Sequence, residues 1–264
     1  MHGGMNPRFA DTISADTVTA GTWMKSQSVV TVKEKGDDNM KVGLVYTSTT
    51  PELIADVERE VKGQLGEDVE LFSQEDPSIL AQVREAGYVT TAPAARLITM
   101  FMKAAEEGCD AVLNICSSVG EVADAAQDAA RYLGVPIVRI DEDMAREAVR
   151  TGSRIGVMAT LPTTLEPTKN TVRRVAREMG KKVEIVDCLI DGAFGLDQTQ
   201  FKKRLSDAAA TIIDQVDVIV LAQGSMAYAE PDLTKTYGKP ILGSPRFGAA
   251  ALKEALRRKG LQRL

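Results

Sequence analysis

Cys116 is the residue best placed to do chemistry. It ends the apolar run Ala111-Val112-Leu113-Asn114-Ile115 and precedes Ser117-Ser118, which open a helical stretch. A thiol between a strand end and a helix N-terminus meets unpaired backbone N–H groups, a setting that favours the thiolate. Cys109 precedes that strand, in a turn, and Cys188 lies inside the strand-like segment 183–190; both read as small buried hydrophobes. The single histidine, His2, argues against a Ser-His-Asp triad, a Cys-His dyad or a His-x-x-x-His zinc site. The three cysteines show no C-x-x-C spacing, so no metal site is expected, and their odd number points to free thiols in a reducing cytoplasm. Hydroxyls gather in four loops: Thr47/Ser48/Thr49, Ser117/Ser118, Thr160/Thr163/Thr164 and Ser225. Each loop falls where a strand gives way to a helix, so hydroxyls and free N–H groups can converge on an anion. Single residues of this kind also serve as N-caps. Their recurrence at four strand ends points to a carboxylate or phosphate pocket, and the lack of a phosphate-binding glycine motif argues against a nucleotide.

The elements that must position these loops alternate. Strands are expected at Lys41–Tyr46, 69–72, Ala111–Ile115 and 137–140, with helices at 52–63, 92–107 and 122–133. In the second of these helices Ala95, Ile98, Phe101 and Met102 share one face. The second half repeats the first. Arg154–Thr160 echoes the strand at Lys41, Asp217–Ser225 echoes Asp110–Ser118, and Gly238–Leu242 echoes Gly134–Val138. The expected fold is therefore α/β, with two similar doubly wound parallel-sheet domains related by a pseudo-twofold axis and the active site in the cleft between them. The expected boundaries are 40–145 and 146–245, with a C-terminal helix 246–260 packing on the first domain. Residues 1–39, with Gly3-Gly4 and a short apolar run at 29–32, read as a poorly structured N-terminal extension. Asp141-Glu142-Asp143 suits a helix N-terminus, with a hinge-side catalytic role for Asp141 as the alternative. Asp191-Gly192-Ala193-Phe194-Gly195 suits a lid or a surface turn. Arg257-Arg258-Lys259 suits a helix C-terminus.

The chain has 264 residues, 44% hydrophobic and 26% charged, with a formal net charge of −5. That balance is ordinary for a globular protein, and without a basic run it gives no reason to expect nucleic acid as a partner. No apolar stretch approaches the roughly 18 residues that cross a bilayer, and 1–39 holds no signal-peptide core. A soluble cytoplasmic protein without membrane partners is expected.

Residues Asn114–Ser118, Arg154–Thr160 and Val218–Met226, taken with the repeat, resemble the Asp/Glu racemase superfamily over about residues 40–258. That group includes glutamate, aspartate and hydantoin racemases, maleate isomerase and arylmalonate decarboxylase. The resemblance implies chemistry without a cofactor at the carbon next to a carboxylate, with two cysteines flanking that carbon. Cys116 matches the first cysteine, and Ser117, Ser118 and Thr160 with its following loop, including Thr163, match neighbours that hold the carboxylate; Ser48 and Thr49 are candidates for the same task. The second cysteine is replaced by Gln223, followed by Gly224 and Ser225. An amide only donates or accepts hydrogen bonds, so a return of the proton falls to Ser225, Tyr228 or a water. Cys116, Gln223 and Ser225 are thus the catalytic candidates, with Gly224 beside them for binding. The resemblance implies a racemase or isomerase using Cys116 as acid/base, acting on a small carboxylic acid and working as a homodimer. The alternatives are a one-cysteine decarboxylase or lyase, and a non-catalytic carboxylate binder.

Overall fold

A computed structural model describes residues 40–260; the expected extension, its run at 29–32 and His2 lie outside them. Two four-stranded parallel sheets organise the chain. The first contains β1 (Lys41–Tyr46), β2 (Glu70–Glu75), β3 (Ala111–Ile115) and β4 (Ile137–Arg139), in the order β2-β1-β3-β4. The second contains β5 (Arg154–Ala159), β6 (Glu184–Leu189), β7 (Val218–Leu221) and β8 (Ile241–Gly243), in the equivalent order β6-β5-β7-β8. The central strands are mostly apolar and buried because helices cover both faces of each sheet, and the edge strands β2 and β6 show the most solvent.

Ten α-helices are described: α1 (Pro51–Leu65), α2 (Pro77–Ala86), α3 (Thr91–Glu106), α4 (Gly120–Ala125), α5 (Gln127–Leu133), α6 (Glu142–Thr151), α7 (Pro162–Glu178), α8 (Gln198–Ile212), α9 (Glu230–Tyr237) and α10 (Ser244–Arg258). The repeat extends to fine detail. A Cβ on Gly43 of β1 would stand 2.9 Å from Ala104 of α3, and one on Gly156 of β5 would stand 2.9 Å from Ile212 of α8. The missing side chain lets a helix lie close on the sheet at the same place in each half. Asp110 accepts a hydrogen bond from the Lys41 N–H at the start of β1, as Asp217 does from Arg154 at the start of β5.

Two expectations are corrected, and one helix is added. The stretch 122–133 is two helices, α4 and α5, parted at Ala126. Asp124 before the break bonds Arg139, and Gln127 after it bonds the Ile137 carbonyl, so both sides are tied to β4. The buried face of α3 is Pro93, Leu97, Phe101 and Ala104; Ala95 and Ile98 are exposed. An unexpected helix, α2, follows β2, opened by Pro77 and capped by Asp76, which accepts from the Ser78 N–H.

Two helices cross between the halves. α6 follows β4, yet its Met144, Ala145, Ala148 and Val149 are buried with Ile155, Val157 and Val220 of the second sheet. The expected boundary at 145/146 falls inside this helix. α10 follows β8, and its Ala249, Leu252 and Leu256 are buried with Val42, Leu44 and Ile115 of the first sheet. Among the described residues, no helix is long and apolar enough to cross a membrane.

Candidate active site

The carboxyl ends of β1, β3, β5 and β7 open into one cleft of about 530 Å³, the place where open α/β sheets bind ligands. Strand register explains the pairing of its residues. Tyr46 stands beside Ile115, so the next residues, Thr47 and Cys116, are neighbours; Met158 stands beside Leu221, so Thr160 and Gln223 are neighbours. The cleft is thus built from two pseudo-equivalent pairs, one holding a thiol and the other an amide. Cys116, Gln223, Ser225, Ser48, Thr49, Ser117, Ser118, Thr160 and Gly224 all line it. Thr163 does not. It faces an adjoining cavity of about 800 Å³, because the step of about 100° to the following residue of α7 directs Thr164 into the cleft instead. The Thr164 hydroxyl lies 2.7 Å from that of Ser118, joining the second half to the first. On the opposite side, Gly224 reaches α1, where a Cβ would come within 2.9 Å of Leu53.

Burial pushes the Cys116 thiol up. The Thr47 hydroxyl, the N–H groups of Ser118 and Val119 and the Ser118 hydroxyl oppose that rise without reversing it. They are the donors that would steady a thiolate once formed. The net direction leaves the resting sulfur as S–H near neutrality. Thr47 and Ser117 are buried hydroxyls without a hydrogen-bond partner of normal geometry. A buried orphan hydroxyl is costly unless a ligand or water completes it. The N-cap reading holds for Thr50, whose hydroxyl accepts from the Leu53 N–H; Thr49 instead donates to Glu75.

Gln223 is held at both ends of its amide. Its Oε1 accepts from the Thr160 N–H at 2.9 Å, and its Nε2 donates to Thr160 Oγ1 at 2.6 Å. The amide is thereby fixed in the lining of the cleft. Tyr228, also in the lining, has its phenol pushed up to about 12 by burial and by Glu52. Leu53, Leu80, Leu161, Leu196 and Phe201 give the cleft an apolar side. Sequence patterning does not reveal these residues, since an amphipathic helix shows the same apolar stripe whether it faces core or cleft. Phe194 of the 190–197 loop lines both cavities, and Arg84 of α2 stacks 4.5 Å from its ring centroid. Among the described lining residues there is no Lys, Arg or His, and Glu52 is the one carboxylate.

Asp141 lies outside the cleft lining. It accepts two hydrogen bonds of 3.0 Å from Arg139, whose guanidinium also reaches Asp124 and Thr171 of α7. Its task is to neutralise a buried cation where the halves meet. Cys109 and Cys188 are buried in core clusters, as expected.

Two pseudo-equivalent open sheets with exchanged helices, and a cleft lined by paired strand-end residues, define a two-half α/β enzyme fold. The chain matches the Asp/Glu/hydantoin racemase family over residues 42–252 and belongs to it. Among solved structures, an allantoin racemase from Klebsiella pneumoniae is similar at 16% identity, with a TM-score of 0.62 over 84% of this chain and 89% of that one. A glutamate racemase from Bacillus anthracis is similar at 17% identity, with a TM-score of 0.62 over 84% of this chain and 83% of that one. An unliganded arylmalonate decarboxylase is similar at 15% identity, with a TM-score of 0.53 over 84% and 93% of the two chains. No curated protein matches the sequence. At these identities the solved structures establish a shared fold.

Proposed function

We propose that the protein catalyses cofactor-independent proton chemistry at the carbon next to a carboxylate, with Cys116 as the sole thiol acid/base. The observation that carries this is one cleft lined by two pseudo-equivalent strand ends: Cys116 among hydroxyls and N–H groups at one, and Gln223 locked to Thr160 at the other. Hydroxyls of Thr47, Ser117, Ser118 and Thr160 hold the substrate carboxylate as it takes on enediolate charge. Cys116 then moves the proton at the α-carbon. In an isomerase or racemase the thiolate takes the α-proton, and Ser225, Tyr228 or water supplies one to the far face. In a decarboxylase, a geminal carboxylate leaves as CO₂, its bonding pair becomes the enediolate, and the Cys116 S–H protonates that carbon before solvent restores the thiol. The raised thiol and the fixed amide favour the second course, because it needs an acid on one face and no base on the other. The apolar side of the cleft suits an alkyl or aryl substituent on the α-carbon. Homodimer formation and a cytoplasmic setting are proposed alongside.

The experiment is proton NMR in deuterium oxide with 2-substituted mono- and di-acids. Incorporation of one deuterium at the α-carbon, with or without loss of CO₂, is the expected result; a panel without exchange or turnover would overturn the reading. The pH profile distinguishes the roles of the sulfur. Acting as an acid, Cys116 keeps kcat/KM level through neutrality and loses it only above the ordinary thiol value of 9.0, since burial raises that value. A base would instead give a rate that climbs with pH across the same range.

Gln223→Cys places a second thiol at the position equivalent to Cys116. It is expected to confer racemisation of (S)-2-phenylpropionate at least about tenfold above the parent enzyme, followed by chiral chromatography. A folded variant that binds the acid as the parent does and shows no gain would show that the two strand ends do not address one carbon.

A further inference from the structure

We infer that Gln223 is a positioning residue that sets the hydrogen-bond polarity of Thr160, making its hydroxyl a donor to the substrate carboxylate. The inference deepens the proposed function and rests on it. It follows from counting donors and acceptors. The Thr160 main chain offers only an N–H at this point, so the amide atom meeting it must be Oε1, which settles which way round the amide lies. Nε2 then faces Thr160 Oγ1 and must donate, so the hydroxyl oxygen is an acceptor in that bond. The hydroxyl proton has no acceptor among the described residues. It is left for a ligand in the cleft that Thr160 lines.

A carboxylate has only acceptors to present, and a hydroxyl shown lone pairs first would repel it. In the other half no amide fixes Thr47, whose hydroxyl stays free to serve either the Cys116 sulfur or the ligand. The residue occupying the second thiol's place has a task of its own here. It gives up proton transfer and gains control over what the cleft accepts.

Gln223→Glu tests this with little change of shape. A carboxylate keeps the Thr160 N–H bond but cannot donate, so the Thr160 hydroxyl turns to donate to it and shows its lone pairs to the cleft. Binding of 2-phenylpropionate and of its neutral amide, 2-phenylpropionamide, is measured by titration calorimetry in four chains: parent, Gln223→Glu, Thr160→Val and the double variant. The parent is expected to prefer the acid. Gln223→Glu is expected to shift the acid-to-amide ratio by about tenfold or more towards the amide, whose NH₂ can now donate to Thr160. The same substitution on the Thr160→Val background is expected to shift it by less than about threefold.

Equal shifts on both backgrounds would reduce the effect to charge repulsion and overturn the role of Gln223, while leaving the carboxylate reading intact. A parent chain that binds no acid would overturn the carboxylate reading itself, and this inference with it. Should Gln223→Glu fail to fold, Gln223→Met replaces it. That change frees the Thr160 hydroxyl to point either way, so a loss of preference for the acid is expected only where Thr160 is present, and an unchanged ratio overturns the role.

Discussion

Cys116→Ala is expected to lower kcat by about 10²–10⁴-fold while leaving the fold and the affinity for carboxylic acids near those of the parent. The sulfur is partly buried at the end of β3, and no other thiol lines the cleft. The hydroxyls proposed to hold the carboxylate belong to other residues, so binding and proton transfer are expected to separate at this position. Deuterium incorporation at the α-carbon under saturating substrate is the measurement. Cys109→Ala and Cys188→Ala provide the contrast, since both thiols lie in core clusters away from the cleft. They are expected to cost some stability and to keep the rate. A Cys116→Ala enzyme that turns over like the parent would remove the thiol from the mechanism.

The other large effect is on stability. Asp141→Ala is expected to cost about 3–5 kcal/mol, because it leaves a buried guanidinium without its one fully buried, doubly bonded counter-charge. Arg139 and Asp141 side chains are 2% and 1% exposed, and they are joined by two hydrogen bonds of 3.0 Å. Asp124 also pairs with Arg139, but it is 37% exposed and offers a single bond, so it replaces little of the loss. For a chain of this size the expected fall in Tm is about 10 °C, read by thermal denaturation. The double variant Arg139→Met with Asp141→Ala is expected to regain most of it, since removing both charges spares the protein an unpaired one. A single variant as stable as the parent would show that solvent reaches the guanidinium. The pair also matters to the site, because Arg139 bonds Thr171 of α7, the helix whose Thr164 meets Ser118 in the cleft.

Local chemistry was readable wherever short-range rules decide the outcome. The β-branched and apolar runs at 41–46, 111–115 and 154–159 form strands because only a sheet covered on both faces accepts such segments. Asp76-Pro77 held the signal for α2 as well, a cap followed by a proline with no N–H to lose. The buried face of α3 is not legible in its sequence because its apolar residues outnumber the buried ones. Which of them meet Val45 and Val112 depends on how the helix settles on the sheet.

From sequence alone came the two-fold repeat, the strand ends that bear thiol and hydroxyls, and the presence of an amide at the repeat position equivalent to Cys116. All of these follow from residue identity and order along the chain. Tertiary structure alone decided that α6 crosses to the second sheet, that Thr164 and not Thr163 enters the cleft, and that Asp141 serves a buried arginine. It also decided that Gln223 grips Thr160. Those outcomes depend on the angle at which a helix leaves its strand and on partners dozens of residues away. Burial and hydrogen-bond satisfaction are settled only when both partners are in place, and no local pattern encodes that.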